Sequence, residues 1–186
     1  DVYKRQQTPW REAVRSRLPW LLFNLGTAFL AGWVVSLFEA TIAKAAVLAV
    51  FLPIIAGQAG NSGTQTLTIL VRSLALGGVD PREGRRVLAK ELTVGLVNGL
   101  VIGCVVGVLS WLWKGIPLLG LLTFSAMVLN MLVAALTGVL IPLGLRALRI
   151  DPALASAILL TTFTDCAGFF IFLGMAALAL HYFQGF

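Results

Sequence analysis

Apolar and polar positions alternate along this chain on the scale of whole segments. Five mainly apolar blocks, at residues 18–38, 42–76, 87–113, 116–145 and 152–183, are separated by short polar connectors. About 20 apolar residues suffice for an α-helix to cross the hydrocarbon of a bilayer, so the blocks predict five membrane-spanning helices with no soluble domain between them. In the first, Pro19 suits an opening helical turn and Trp20 a membrane interface, and Glu39 closes the block. The third carries Gly95, Gly99, Gly103 and Gly107 at four-residue spacing, which aligns them on one helix face where a neighbouring backbone can approach. A turn is predicted at Lys114-Gly115, a charged loop at residues 77–86, and an N-cap with first-turn proline at Asp151-Pro152. Residues 1–17 read as a cytoplasmic lead-in helix, and residues 18–186 as one membrane domain.

The second block is interrupted from within. Residues 53–68 read P-I-I-A-G-Q-A-G-N-S-G-T-Q-T-L-T between two apolar runs. Pro53 removes one backbone donor and predicts a bent or broken helix there. Helical spacing aligns Pro53, Gly57, Gly60, Asn61, Thr64 and Thr68 in one polar stripe. Lipid offers such groups no hydrogen bonds, so the stripe either packs on protein through its glycines or lines a watery cavity.

A second anomaly lies in the last block. Asp165 stands thirteen residues past Pro152, about 20 Å along a helix axis. A carboxylate near the middle of a span costs at least about 2.5–3.5 kcal/mol on insertion scales, which makes it a site residue by default. The alternative is a protonated acid bonded to a neighbouring threonine. Ala157, Thr161, Asp165 and Gly168 share a stripe, with Thr162 and Thr164 close by. Two such stripes facing each other offer carbonyls, hydroxyls, an amide and a carboxylate. Oxygen donors without His, Cys or Met suit Mg²⁺, Ca²⁺ or Mn²⁺. Asn130, in the fourth block, reads as an interhelical hydrogen bond. An intramembrane aspartyl hydrolase would need two carboxylates sharing a proton, and one chain offers only Asp165, so no enzyme is expected.

Composition narrows the class further. The chain is 59% hydrophobic and 12% charged, with a mean hydropathy of +0.93. Its net charge of +6 does not point to nucleic acid, because the basic residues sit between the apolar blocks. Of the 14 lysines and arginines, all but Lys44 and Lys114 fall on one side of a five-span topology. The positive-inside rule then places the N-terminus in the cytoplasm and the C-terminus outside, with His181 at the interface. Cys104 and Cys166 read as core residues. Asp80, Glu83 and Asp151 read as ordinary loop charges.

Three passages together resemble the transmembrane domain of the MgtE magnesium channels, a family related to animal solute carriers. They are R-x-P-W-L-L-x-N-L-x-T-A-F-L at residues 17–30 with Phe38-Glu39; P-x-x-A-G-x-x-G-N-S-G-T-Q at residues 53–65 with V-R-S-L-A-L-G at 71–77; and T-T-x-T-D-x-x-G-F at 161–169. The resemblance implies an all-α integral membrane fold: a homodimer with five spans per subunit, set in the plasma membrane. Its pore lies on the two-fold axis between the second and fifth helices. It implies that Asp165 from both subunits holds a largely hydrated Mg²⁺, flanked by Thr161 and Gly168. Gly57, Gly60, Asn61, Thr64 and Thr68 would line the pore. The function implied is a Mg²⁺ channel, with a Na⁺- or H⁺-coupled carrier as the alternative. The family usually carries a cytoplasmic Mg²⁺-sensing N-domain and paired CBS domains ahead of the spans. None lies within these residues, which read as the membrane part of a larger protein or as a naturally short member.

Overall fold

The computed structural model describes residues 9–76, 84–149 and 152–183. These form five long helices and one short one: α1 (Trp10–Ser36), α2 (Glu39–Lys44), α3 (Leu48–Ala75), α4 (Gly84–Lys114), α5 (Pro117–Ala147) and α6 (Pro152–Phe183). Among the described residues, four helices are long and apolar enough to cross a membrane: α1, α4, α5, and α6 over Ser156–Tyr182. The fifth long helix, α3, runs for 28 residues within the same bundle.

Two breaks fall elsewhere than the sequence predicts. Pro19 lies inside α1, not in its first turn, because the helix already begins at Trp10 behind Pro9. Lead-in and first apolar block are thus one continuous rod over the described residues. The second block divides at residues 45–47, giving α2 and α3, while α3 runs unbroken through Pro53. The cost is local: with α3 starting at Leu48, Pro53 forgoes a single intrahelical bond, the one to the Ala49 carbonyl, and the helix continues past it. Over residues 77–83 the predicted loop lies outside the described residues, as does Asp151; this takes in Asp80 and Glu83. The turn after Lys114 is as expected, with Gly115 at φ 70°, which a residue with a Cβ rarely adopts.

α5 is the centre of the bundle, packing on α3, α4 and α6, while α1 lies against α6. Leu48, Phe51 and Ile55 of α3, Leu119, Met127 and Met131 of α5, and Phe172, Leu173 and Ala176 of α6 form the core. In a membrane such packing stabilises by close contact more than by exclusion of water. The glycine face of α4 shows how. Gly95 meets Met131 and Ala135, Gly99 meets Val128 and Met131, Gly103 meets Phe124 and Val128, and Gly107 meets Gly120 and Phe124. The contacts ascend one helix while descending the other, so α4 and α5 are antiparallel neighbours. At the tightest point the approach is reciprocal: a Cβ on Gly107 would lie 2.8 Å from the Gly120 carbonyl oxygen, and one on Gly120 2.7 Å from that of Gly107. Cys104, expected in the core, is exposed beside this face.

The contact makes a direct demand. Gly107→Val should destabilise the bundle by about 1–3 kcal/mol, the usual range for overpacking. Gly26→Ala, at a position where a Cβ meets nothing within 4 Å, should stay within about 0.5 kcal/mol. Thermal unfolding of the two variants in detergent compares them.

Candidate cation site

The amphipathic character of α3 is inverted relative to an ordinary surface helix of the bundle. Leu52, Ile55, Ala56, Ala59, Thr66, Leu67 and Leu70 face inward and are buried. Pro53, Gly57, Asn61, Thr64 and Thr68 are exposed on the other side, with Gly60 half-buried at the edge. Gln58 and Gln65 are exposed beside them. The sequence stripe omitted these two glutamines, although their helical angle places them within the same arc.

The three glycines of the motif divide between packing and openness. A Cβ on Gly63 would lie 2.9 Å from Leu160 of α6 and 3.3 Å from the Ala134 carbonyl oxygen of α5. Gly60 stands opposite Thr164, whose hydroxyl oxygen would be 3.7 Å from such an atom. Gly57 meets nothing. Gly63 therefore serves close approach, whereas Gly57 leaves its backbone uncovered on the polar side. The pairs Gly60–Thr164 and Gly63–Leu160 run in opposite senses, so α3 and α6 cross antiparallel.

On α6 the predicted stripe turns progressively into the bundle. Ala157 is exposed, Thr161 and Asp165 are half-buried, and Gly168 is buried. Gly168 is covered by the side-chain amide of Asn130 from α5, which places it behind the acid on the side turned to α5. Asp165 makes no hydrogen bond or ion pair among the described residues. Thr161 borders a groove of about 520 Å³ between α1 and α6, shared with Arg17, Trp20 and Asn24. Sequence spacing within one helix could not have brought Asn24 next to Thr161.

The hydroxyls have a common orientation. Thr64 donates to the Gly60 carbonyl and Thr68 to that of Thr64, both at 2.7 Å. Thr161 donates to the Ala157 and Ile158 carbonyls at 3.1 and 3.0 Å, and Thr164 to those of Leu160 and Thr161. With each hydroxyl hydrogen spent on its own helix, what remains available is oxygen lone pairs. Among the described residues no three His, Cys, Asp or Glu side chains gather as a ligand cluster. The oxygens on these two faces are thus one carboxylate among neutral hydroxyl, amide and carbonyl groups.

A second acid is engaged between helices. Glu91, two turns into α4, accepts a hydrogen bond from the Thr66 hydroxyl of α3 at 2.9 Å. Thr66 is buried on the inward face of α3, against Gly138 of α5. The bond ties the polar helix to α4.

Four helices of membrane-crossing length and an all-helical bundle make this a multi-pass membrane protein. The family profile described as MgtE, divalent cation transporter, matches residues 52–175, from the start of the polar helix to beyond Asp165. The chain belongs to that family. It is 32% identical over 169 residues to the magnesium transporter MgtE of Bacillus subtilis, covering 91% of this chain and 38% of that protein. With the magnesium transporter MgtE of Enterococcus faecalis it shares 34% identity over 183 residues, 98% of this chain and 40% of the other. With that of Thermus thermophilus it shares 36% over 165 residues, 89% and 36%. The chain therefore spans 36–40% of the length of these relatives.

Removing the acceptor at residue 91 should leave the Thr66 hydroxyl buried without its partner. Glu91→Leu should cost about 1–3 kcal/mol and Glu91→Gln, which keeps an acceptor, less. Comparing the melting temperatures of the two purified variants distinguishes this from an idle surface acid, for which they would match wild type.

Proposed function

We propose that this chain is the pore-forming part of a Mg²⁺ channel, which passes the hydrated ion into the cytoplasm between two copies of itself. The observation that carries the reading is the half-buried, unpartnered Asp165 beside a helix face that offers oxygen acceptors. That its relatives are magnesium transporters supports the choice of ion.

Dimerisation follows from the exposure of the polar arc of α3. At membrane depth Asn61, Thr64, Gln65 and Thr68 need a polar neighbour or water, which lipid cannot supply. A two-fold partner would enclose them around a watery axis, with α3 serving as the fifth span. Symmetry brings two Asp165 carboxylates to one ion. Gly57, Gly60, Asn61, Thr64, Thr68 and Thr161 line the path, and Gly168 shapes it from behind. The distribution of basic residues favours a cytoplasmic N-terminus in the plasma membrane. A cytoplasmic Mg²⁺-sensing region is the expected regulatory partner in a longer chain.

Mg²⁺ prefers octahedral oxygen at about 2.0–2.1 Å and gives up water reluctantly. A site with one carboxylate per subunit suits contact through those waters, which donate to Asp165 and to the threonine oxygens. Hexaamminecobalt(III), which presents similar donors on inert ligands, should therefore compete with Mg²⁺ in liposome flux. Asp165→Ala should abolish both flux and competition. Asp165→Asn should weaken binding roughly tenfold or more, about 1.4 kcal/mol. Current in sodium-free bilayers at fixed pH should reverse where the Mg²⁺ gradient dictates. A strict requirement for a second ion would replace the channel with a coupled carrier.

A further inference from the structure

The side chain of Asn130, fully buried in the middle of α5, touches both helices of the proposed path. Its Nδ2 donates to the Ile55 carbonyl of α3 at 3.3 Å. The same amide fills the space above Gly168 of α6, where a Cβ would be 3.1 Å from Cγ and closer still to Nδ2. The contact extends the crossing of α3 and α6 by one step: Ile55 and Gly168 meet through Asn130, then Gly60 meets Thr164, then Gly63 meets Leu160. Asn130 thus holds one end of the crossing, less than a turn beyond Asp165.

The amide is only partly satisfied where it sits. Its Oδ1 is buried with no hydrogen-bond partner among the described residues, a state that native proteins rarely tolerate without a reason. A leucine, common elsewhere in α5, would avoid that penalty. It could neither donate to α3 nor fit its branched end into the flat space over Gly168. What asparagine supplies is a donor for one helix and a thin planar group for the other.

We infer that Asn130 is a positioning residue for the Asp165 site: it fixes the rotation and register of α3 against α6, so that the polar arc and the carboxylate face the same path. The inference rests on the reading of Asp165 as the ion site. It assigns Gly168 the role of receiving the Asn130 amide.

The test uses the reciprocal fit. Gly168→Ala drives a methyl into the amide and should lower both the melting temperature and the affinity for hexaamminecobalt(III). In the double variant Asn130→Ala/Gly168→Ala the new methyl occupies the space the amide vacates, so melting should recover towards wild type. The hydrogen bond to Ile55 does not return. Hexaamminecobalt(III) affinity, measured by calorimetry, should therefore stay at least roughly tenfold weak, and the ratio of Mg²⁺ to Ca²⁺ flux should fall. Spin labels at the exposed Ile69 and Phe163 should report a changed distance between α3 and α6. If the double variant regains affinity and selectivity along with its melting temperature, Asn130 merely fills space and the inference is wrong. Should Asp165→Ala bind hexaamminecobalt(III) as wild type does, the ion-site reading fails, and the role given to Asn130 fails with it. Loss in Asp165→Ala with full affinity in the double variant sinks the Asn130 inference alone.

Discussion

A bilayer offers a polar group nothing to bond to, and the organisation of this protein follows from how it meets that constraint along α3. The helix runs unbroken past Pro53, and on its polar side Thr64 and Thr68 satisfy their hydroxyl hydrogens on carbonyls one turn back. What remains is an arc of oxygens and amides pointing away from the bundle. Such a surface is stable at membrane depth only beside water or another polar surface. The same arc that makes α3 a poor isolated span would, in the proposed channel, make it a wall for an aqueous path.

Holding such a helix in place falls to its inward face. Gly63 brings it against Leu160 and the Ala134 carbonyl, Asn130 bonds the Ile55 carbonyl, and Thr66 bonds Glu91. Three neighbouring helices each contribute one of these attachments or share in it. The central α5 is itself fixed by the glycine face of α4, where backbones approach closely enough that Gly107 and Gly120 exclude each other's side chains. Close contacts run from α4 through α5 to α3 and α6, while most of the polar arc faces away from them.

Where sequence spacing carried a single physical meaning, it was legible. Four glycines at intervals of four cannot avoid sharing a face, and Gly115 after Lys114 marks the turn that its positive φ requires. Asn130 at the heart of an apolar helix had to find a partner in another helix, as it did in the Ile55 carbonyl. Where the meaning depended on where a helix begins, spacing misled. A proline forgoes one intrahelical bond without having to break the helix, as Pro19 and Pro142 show inside α1 and α5, and the chain interrupts itself instead at residues 45–47. Gly168 shares a stripe with Asp165, but an interval of three residues rotates it into the bundle, where only the neighbouring α5 decides what it meets. Glu91 and Asn24 went unnoticed for the same reason: their partners, Thr66 and the groove beside Thr161, belong to other helices.

For the channel proposed above, the orientation of the hydroxyls bears most directly on which solute would suit the path. An anion would seek hydrogen-bond donors, and at Thr64, Thr68 and Thr161 the donors are already committed to backbone carbonyls. A bare cation would seek a crowded cage of ligands, and no three-residue cluster of acidic, histidine or cysteine side chains gathers among the described residues. A cation wrapped in water is itself a shell of donors. It would match the threonine and amide oxygens of the arc without being stripped, and one carboxylate would supply the charge that selects it over neutral solutes. In that proposal the small residues of the arc would have a reason beyond close packing: a hydrated ion is wide, and Gly57, with nothing within 4 Å of where a Cβ would stand, would leave room for it.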